Sequence, residues 1–389
     1  MKIIQVCPYY PPAEGYGGVI RVVTELADRL TERGHDVTVY TTDAGGSRDR
    51  IKADNPVERG DVTVYYFKNI SDRLASRASV PIPLGAISSI RRSISNFDLV
   101  HVHGYPHLLT VAAAHATRHN DVPLVLTPHG AVNLPDEAGQ SLQHKIFDKL
   151  FGRYIFQRVD SPVALTPDEA DRLRNHTNLT DPIIIRNGID YRKHMISDQR
   201  RSNIRDTYDM WGSLCVGFIG RLHKKKGLDV LLRLAQHFND VCVNDKSIKF
   251  IIVGPSDGAS ELEASLDELD NTSVLGYLSE DKKNAMLSAL DIFVLPSHSE
   301  GQPLAVLEAM AAGTPVIISE ACGLPIVEQY GAGAVPSMTV DAFVRRLQEF
   351  LTDAEKRTTA GKQARRAVEM EFGWESVIDR HIELYQKIS

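Results

Sequence analysis

Leu295-Pro296-Ser297-His298-Ser299-Glu300-Gly301-Gln302-Pro303-Leu304-Ala305-Val306-Leu307-Glu308-Ala309-Met310-Ala311-Ala312-Gly313-Thr314-Pro315-Val316-Ile317-Ile318 is the stretch that decides the fold. Asp291 to Leu295 reads as a buried strand that empties into a polar loop. The loop carries Glu300 and Gly301, and a helix with a second acid, Glu308, follows and stops at Gly313. A second apolar strand comes next. In open α/β sheets, ligands sit outside the carboxyl ends of strands. Helix N-termini attract anions. The place therefore suits a diphosphate flanked by hydroxyl-rich groups.

Working outward, the same alternation covers the second half of the chain. Strands are expected at Leu214–Ile219, Lys249–Val253, Val274–Tyr277, Asp291–Leu295 and Thr314–Ser319. Helices are expected at Leu228–His237, Glu261–Leu269, Asp281–Leu290, Leu304–Ala312 and 339–352, and from Asp353 the chain reads as amphipathic helix to its end. The first half has its own series. Strands fit Lys2–Cys7, Asp36–Thr42, Asp61–Phe67, Leu99–His103, Pro123–Thr127, Pro162–Leu165 and Pro182–Arg186. A helix from Val19 to Leu30 and helical patterns near 107–119, 141–157 and 168–175 lie between them. Alternating strands and helices argue for parallel, doubly wound sheets. The charged stretch Asn187–Trp211 has no clear strand and reads as a hinge. Two Rossmann-like units in series are the expected architecture.

At 389 residues, 43% hydrophobic and 24% charged, the chain has an ordinary globular composition. The net charge of −6 argues against nucleic acid as the main partner, and it is uneven: residues 1–195 sum to +1 and the remainder to −7. Cys7, Cys215, Cys242 and Cys322 are scattered with no CxxC pair, so buried free thiols in a reducing, cytoplasmic setting are expected. Neither a signal peptide nor an apolar run of about 18 residues is legible.

Three loops could carry chemistry besides the opening one. Gly15-Tyr16-Gly17-Gly18 lies between strand one and helix one, where glycines let backbone amides approach a ligand. It does not match GxGxxG, and an ordinary turn is the alternative. Gly220-Arg221-Leu222-His223-Lys224-Lys225-Lys226-Gly227 is a basic loop between a strand and a helix. Arg221 offers a fork to phosphate oxygens and Lys226 a mobile charge, whereas Lys224 and Lys225 read as solvated. His129 follows a strand end beside Gly130, at a cleft rim, with a structural histidine as the alternative. His101 and His103 share one strand face, but no third ligand at metal spacing stands nearby, and no DxD triplet occurs.

These residues together resemble a known family. Glu300 and Glu308 give an EX7E spacing inside P-S-x-x-E-G-x-P-L-x-x-L-E-A-M-A-x-G-x-P-V-I. With Gly220-Arg221, Lys226-Gly227, Pro8-Tyr9-Tyr10-Pro11-Pro12, Gly17-Gly18, Asp98–Gly104, Arg186-Asn187-Gly188-Ile189-Asp190 and Phe372-Gly373-Trp374, this is similar to retaining glycosyltransferase family 4, of GT-B fold. The resemblance covers nearly the full length. It implies an α/β GT-B protein: a Rossmann-like acceptor domain at 1–190, a Rossmann-like donor domain at 191–370 facing it across a cleft, and a helix at 371–389 crossing back to the first domain.

It also implies metal-independent transfer of a hexosyl unit, with retention, from a UDP- or GDP-sugar to a glycan, lipid-linked or small-molecule acceptor in polysaccharide or glycoconjugate biosynthesis. No cofactor is implied beyond that co-substrate. Glu308 would bind the ribose, and Glu300 with the Gly301–Ala305 backbone, including Leu304, the sugar. Arg221 and Lys226 would neutralise the diphosphate, His129 would contact the sugar, Gly17 and Gly18 would approach the diphosphate or acceptor, and Tyr277 joins the donor-binding set. Many relatives have glycine where Pro303 stands, and proline has no N–H to offer the sugar. The other readings are a sugar-nucleotide epimerase, a phosphorylase, or a non-catalytic sugar-nucleotide-binding subunit. Finally, 68–92 mixes Arg73, Arg77, Arg91 and Arg92 with apolar residues, which gives a peripheral contact at the inner face of the cell membrane or an ordinary surface loop.

Overall fold

A computed structural model describes residues 1–13, 18–45, 50–71, 82–131, 142–177 and 181–389. The chain forms two compact units, one of Met1–Asn187 with Glu375–Ser389 and one of Gly188–Trp374.

The first unit is built on eight strands: β1 Lys2–Val6, β2 Asp36–Thr42, β3 Val57–Arg59, β4 Val62–Phe67, β5 Leu99–His103, β6 Leu124–Thr127, β7 Ser161–Ala164 and β8 Ile183–Ile184. Their spatial order is β3-β4-β2-β1-β5-β6-β7-β8. All neighbours run parallel except β3 against β4. Helices cover such a sheet on both faces, which is why its central strands are apolar runs rather than alternating ones. Ile3, Ile4, Val6, Val100 and Val102 are accordingly buried. The final helix, Trp374–Ile388, belongs to this unit beyond its first residue. Tyr385 on it bonds His101 of β5 at 2.6 Å, and Arg33 grips Glu375 and Asp379 at 2.8 and 2.7 Å.

The second unit repeats the plan with β9 Ser213–Ile219, β10 Cys242–Val243, β11 Lys246–Val253, β12 Thr272–Val274, β13 Ile292–Leu295, β14 Val316–Ile318 and β15 Gly333–Ala334. The order is β10-β11-β9-β13-β14-β15, with β12 also on β11. Only the short β10–β11 pair is antiparallel.

Three expectations need correction. The stretch Asn187–Trp211 is not merely a linker. It holds a helix, Asp198–Thr207, capped by Ser197. Arg205 on that helix is buried and donates to the Ala289, Met210 and Ser213 carbonyls at 2.6, 2.8 and 3.2 Å. The helix has few apolar residues, so periodicity hides it. Its anchor is one buried cation that satisfies three carbonyls at once. Second, 68–92 contains a helix, Ala86–Ser93, that buries Ala86 and Ile90. Arg73 and Arg77 lie outside the described residues. Third, Cys242 is exposed while Cys7, Cys215 and Cys322 are buried, because Cys242 sits on the hairpin strand at the sheet edge.

A candidate active site in the second unit

In the second unit, β9, β11, β13 and β14 all end on one edge of the sheet, and the loops that leave them converge. Gly220 donates its N–H to Val253 O at 2.9 Å, and Gly254 donates to Gly276 O at 2.8 Å. The basic loop then makes a single 3-10 turn, Lys224–Lys226, closed by Gly227 at φ 71. A side chain at Gly227 would place its Cβ 1.7 Å from Pro296 O. Glycine therefore lets the basic loop lie directly on the acid-bearing loop. His298 N–H donates to Lys225 O at 2.8 Å, and its ring meets Asp229 at 3.0 Å, which fastens the two loops again.

That close approach brings Lys226 to Glu300. Lys226 Nζ lies 2.6 Å from Glu300 Oε1. Ser297 Oγ donates to the same oxygen at 2.6 Å, and the buried Ser319 hydroxyl donates to Ser297 O at 2.5 Å. One carboxylate oxygen is thus held from two sides. Burial, with the Glu300 charge next in importance, pushes the Cys322 thiol up to about 12, so this cysteine stays a neutral filler beneath the loop.

Glu308 stands in the helix Leu304–Ala311, which begins after Pro303. The N–H groups of the first helical residues, Leu304 and Ala305, have no acceptor within a helix. Glu308 is buried and pairs with Lys283 at 2.8 Å. Arg221 is half-exposed and pairs with Asp257 at 2.8 Å. An exposed pair of this kind contributes about 0–1 kcal/mol and is easily exchanged for a phosphate. Tyr277 is 77% exposed on the loop after β12.

Of the expected set, Arg221, Lys226, Tyr277, Glu300, Gly301, Leu304 and Ala305 lie on loops, a turn or a helix start at this edge, and Glu308 lies one turn into the helix Leu304–Ala311. His129 and Gly18 lie in the other unit, and Gly17 falls outside the described residues. Gly18 is the first residue of the helix Gly18–Glu32. His129 adopts φ 57, an uncommon conformation for a side-chain-bearing residue that clusters at functional sites. Its turn is held by Glu169, which accepts Gly130 N–H at 2.5 Å and Leu165 N–H at 2.7 Å. His129 Nε2 faces His103 Nδ1 at 3.2 Å, and His101 bonds Thr127 at 2.8 Å. Burial pushes His129 down to about 3 and His101 and His103 well below their ordinary range, so the cluster is neutral near pH 7.

Sequence reasoning missed Ser297, Lys283, Asp257 and Glu169. Ser297 was legible only as loop polarity. Lys283 carried one signal: a cation in the first turn of a helix, where the backbone dipole disfavours it.

Two family models match the chain. Glycosyltransferase Family 4 covers residues 16–193, and Glycosyl transferases group 1 covers residues 211–367. The chain belongs to glycosyltransferase family 4. As a family 4 member it is 25% identical over 396 residues to the O-antigen chain mannosyltransferase C of Escherichia coli, covering 99% of this chain and 98% of that one. Among solved structures it is similar to sucrose-phosphate synthase from Thermosynechococcus elongatus, with TM-score 0.78, 19% identity and coverage of 100% and 99%. Anabaena HepE in complex with UDP and glucose matches with TM-score 0.77, 16% identity and full coverage of both chains. This family 4 glycosyltransferase therefore has the GT-B fold, with two Rossmann-like units. Among its described residues, no helix is long and apolar enough to cross a membrane.

Proposed function

We propose that this glycosyltransferase moves a hexosyl unit from a nucleotide diphosphate sugar, UDP- or GDP-linked, with retention and without a metal ion. The observation that carries the reading is the contact of Lys226 with Glu300 at the strand ends, backed by Ser297. It sets a cation for the diphosphate beside an acid for the sugar. HepE, of the same fold, was crystallised with UDP and glucose.

Cleaving the anomeric carbon–oxygen bond puts negative charge on the departing diphosphate and positive charge on the sugar ring. Lys226, held beside Glu300, and Arg221, once it exchanges Asp257 for the phosphate, stabilise the first. Glu300 and the Gly301–Ala305 backbone hold the sugar hydroxyls, Glu308 accepts from the ribose hydroxyls, and Tyr277 lines the nucleotide. The acceptor hydroxyl attacks the face the phosphate leaves, and its proton passes to the departing phosphate oxygen. His129 is assigned to the sugar, and Gly17 and Gly18 to the diphosphate or acceptor. The acceptor is a glycan, a lipid-linked sugar or a small molecule of polysaccharide or glycoconjugate biosynthesis. Titration calorimetry against UDP, GDP and ADP tests the reading. No binding of any of the three would overturn it.

The same reading includes peripheral contact with the inner face of the cell membrane. In the described part of 68–92, Leu84 and Ile87 are exposed beside Arg91 and Arg92. The helical run 142–156 supports it further. Leu142, Ile146 and Leu150, four residues apart, are exposed among Lys145, Lys149 and Arg153, with no exposed acid on that run. Apolar residues flanked by cations suit an anionic lipid surface.

A further inference from the structure

We infer that Lys283 is a positioning residue for the ribose of the donor nucleotide, acting through Glu308. The inference rests on the nucleotide-sugar reading above and deepens it.

Lys283 sits in the first turn of the helix Glu280–Ala289. Two physical costs attach to that place. The positive end of the helix dipole repels a cation there, and burial strips the ammonium of water. Only 18% of the Lys283 side chain is exposed. What offsets both costs is Glu308, whose carboxylate is 3% exposed and lies 2.8 Å away. Acidic neighbours at this helix start, Glu280 and Asp281, are exposed and carry no such burial.

The framework around the pair is fixed. Thr314 Oγ1 donates to Leu287 O at 2.6 Å, tying the end of the Glu308 helix to the Lys283 helix. Asn284, next to Lys283, is buried. The Lys283 helix leaves the loop that exposes Tyr277, at the edge where the strands end. Lys283 thus reaches Glu308 from a helix that starts at this edge.

A carboxylate recognises a pair of vicinal hydroxyls only as an acceptor, with its oxygens turned to them. A long acidic side chain has several rotamers. An ammonium fixed on Oε1 selects one of them and keeps the carboxylate paired while the ribose arrives. Lys283 need not touch the nucleotide to do this. Its effect is confined to ligands that carry the hydroxyls, and that separates positioning from general stability.

The test is titration calorimetry of the full-length protein with UDP, 2′-deoxy-UDP and 3′-deoxy-UDP, or with the guanosine set if GDP is the ligand bound. Wild type is expected to bind the deoxy analogues about tenfold more weakly, the size of one hydrogen bond to a charged acceptor. Lys283→Met is expected to lower affinity for the ribose nucleotide about tenfold. It should leave the deoxy analogues within twofold, and Lys283→Arg should restore most of the preference. The preference is a ratio taken on one preparation, so a partly unfolded variant does not distort it. If Lys283→Met weakens all ligands alike, or keeps the wild-type preference, the inference is overturned. If wild type itself shows no preference, the ribose assignment of Glu308 fails, a different result from either.

Discussion

Lys226 Nζ and Glu300 Oε1 stand 2.6 Å apart although 74 residues separate them in sequence. The contact couples the group assigned to the diphosphate to the group assigned to the sugar. The two substitutions should therefore not add. Lys226→Ala is expected to weaken nucleotide diphosphate binding at least tenfold, about 1.5 kcal/mol or more for a charge-assisted bond. Adding Glu300→Gln to it should cost less than Glu300→Gln costs alone, as contacting residues do. The exposed Lys225→Ala should change affinity less than twofold. Calorimetry reads wild type and the four variants, and equal affinity in wild type and Lys226→Ala would sink the assignment.

Gly227 and Gly258 form a matched pair of probes. Both have φ above +70, but a methyl group at Gly258 would enter open space, whereas one at Gly227 would meet Pro296 O at 1.7 Å. Gly258→Ala should cost about 1 kcal/mol of stability from backbone conformation alone. Gly227→Ala should cost clearly more, and it should also lower nucleotide affinity, because the basic loop must lift off the loop bearing Glu300. Denaturant midpoints with calorimetry on the same samples compare them. Equal losses would mean that the close approach has no energetic weight.

The buried histidines give the first unit a defined acid sensitivity. His381 bonds Val377 O at 2.9 Å and is held down to about 4, chiefly by burial. In the unfolded chain a histidine takes its proton near pH 6.5. Between those values the unfolded state binds the extra proton, so stability is complete above about 6.5 and falls as pH drops toward 4. One such residue accounts for up to about 3 kcal/mol over that window. His381→Leu should flatten this part of the profile. Urea midpoints of both proteins from pH 7.5 to 4 check it, and parallel curves would refute it.

Lipid contact separates by residue. Leu142, Ile146 and Leu150 changed together to serine should reduce co-sedimentation with vesicles rich in anionic lipid severalfold. Binding of UDP or GDP should be unaffected, since Arg221, Lys226, Tyr277 and Glu308, the groups assigned to the nucleotide, lie in the other unit. Neutral vesicles should bind neither protein well. Unchanged sedimentation of the triple variant would remove these residues from the membrane proposal, and a change in oligomeric state instead would point to a second copy of the chain.

Much of this molecule was legible before its structure. β2, β5 and the helix Leu228–His237 fall on the residues expected from periodicity alone. Their apolar positions are dense and their ends are marked by glycine or polar residues. The acids of the opening stretch were also legible, because EX7E spacing puts them in one loop–helix turn. The pairings were not. The local pattern singled out Lys226 over Lys225 but did not say that it reaches Glu300; the 3-10 turn and Gly227 determine that. Ser297 reaches Glu300 within one irregular loop and Lys283 reaches Glu308 from another helix, so periodicity carries no trace of either contact. The edge strands β3, β10 and β15 were missed because two or three residues are too few to show a period.

Arg205 sets where the second half of this enzyme can be cut free. The matching family model begins at residue 211, and a chain started there would have the whole expected nucleotide edge. It would also lack Arg205, leaving the Ala289 and Ser213 carbonyls without that donor and Trp211 without the guanidinium 5.2 Å from its ring. A fragment of Gly188–Trp374 retains that arginine, so it is the shorter piece expected to fold and bind nucleotide alone.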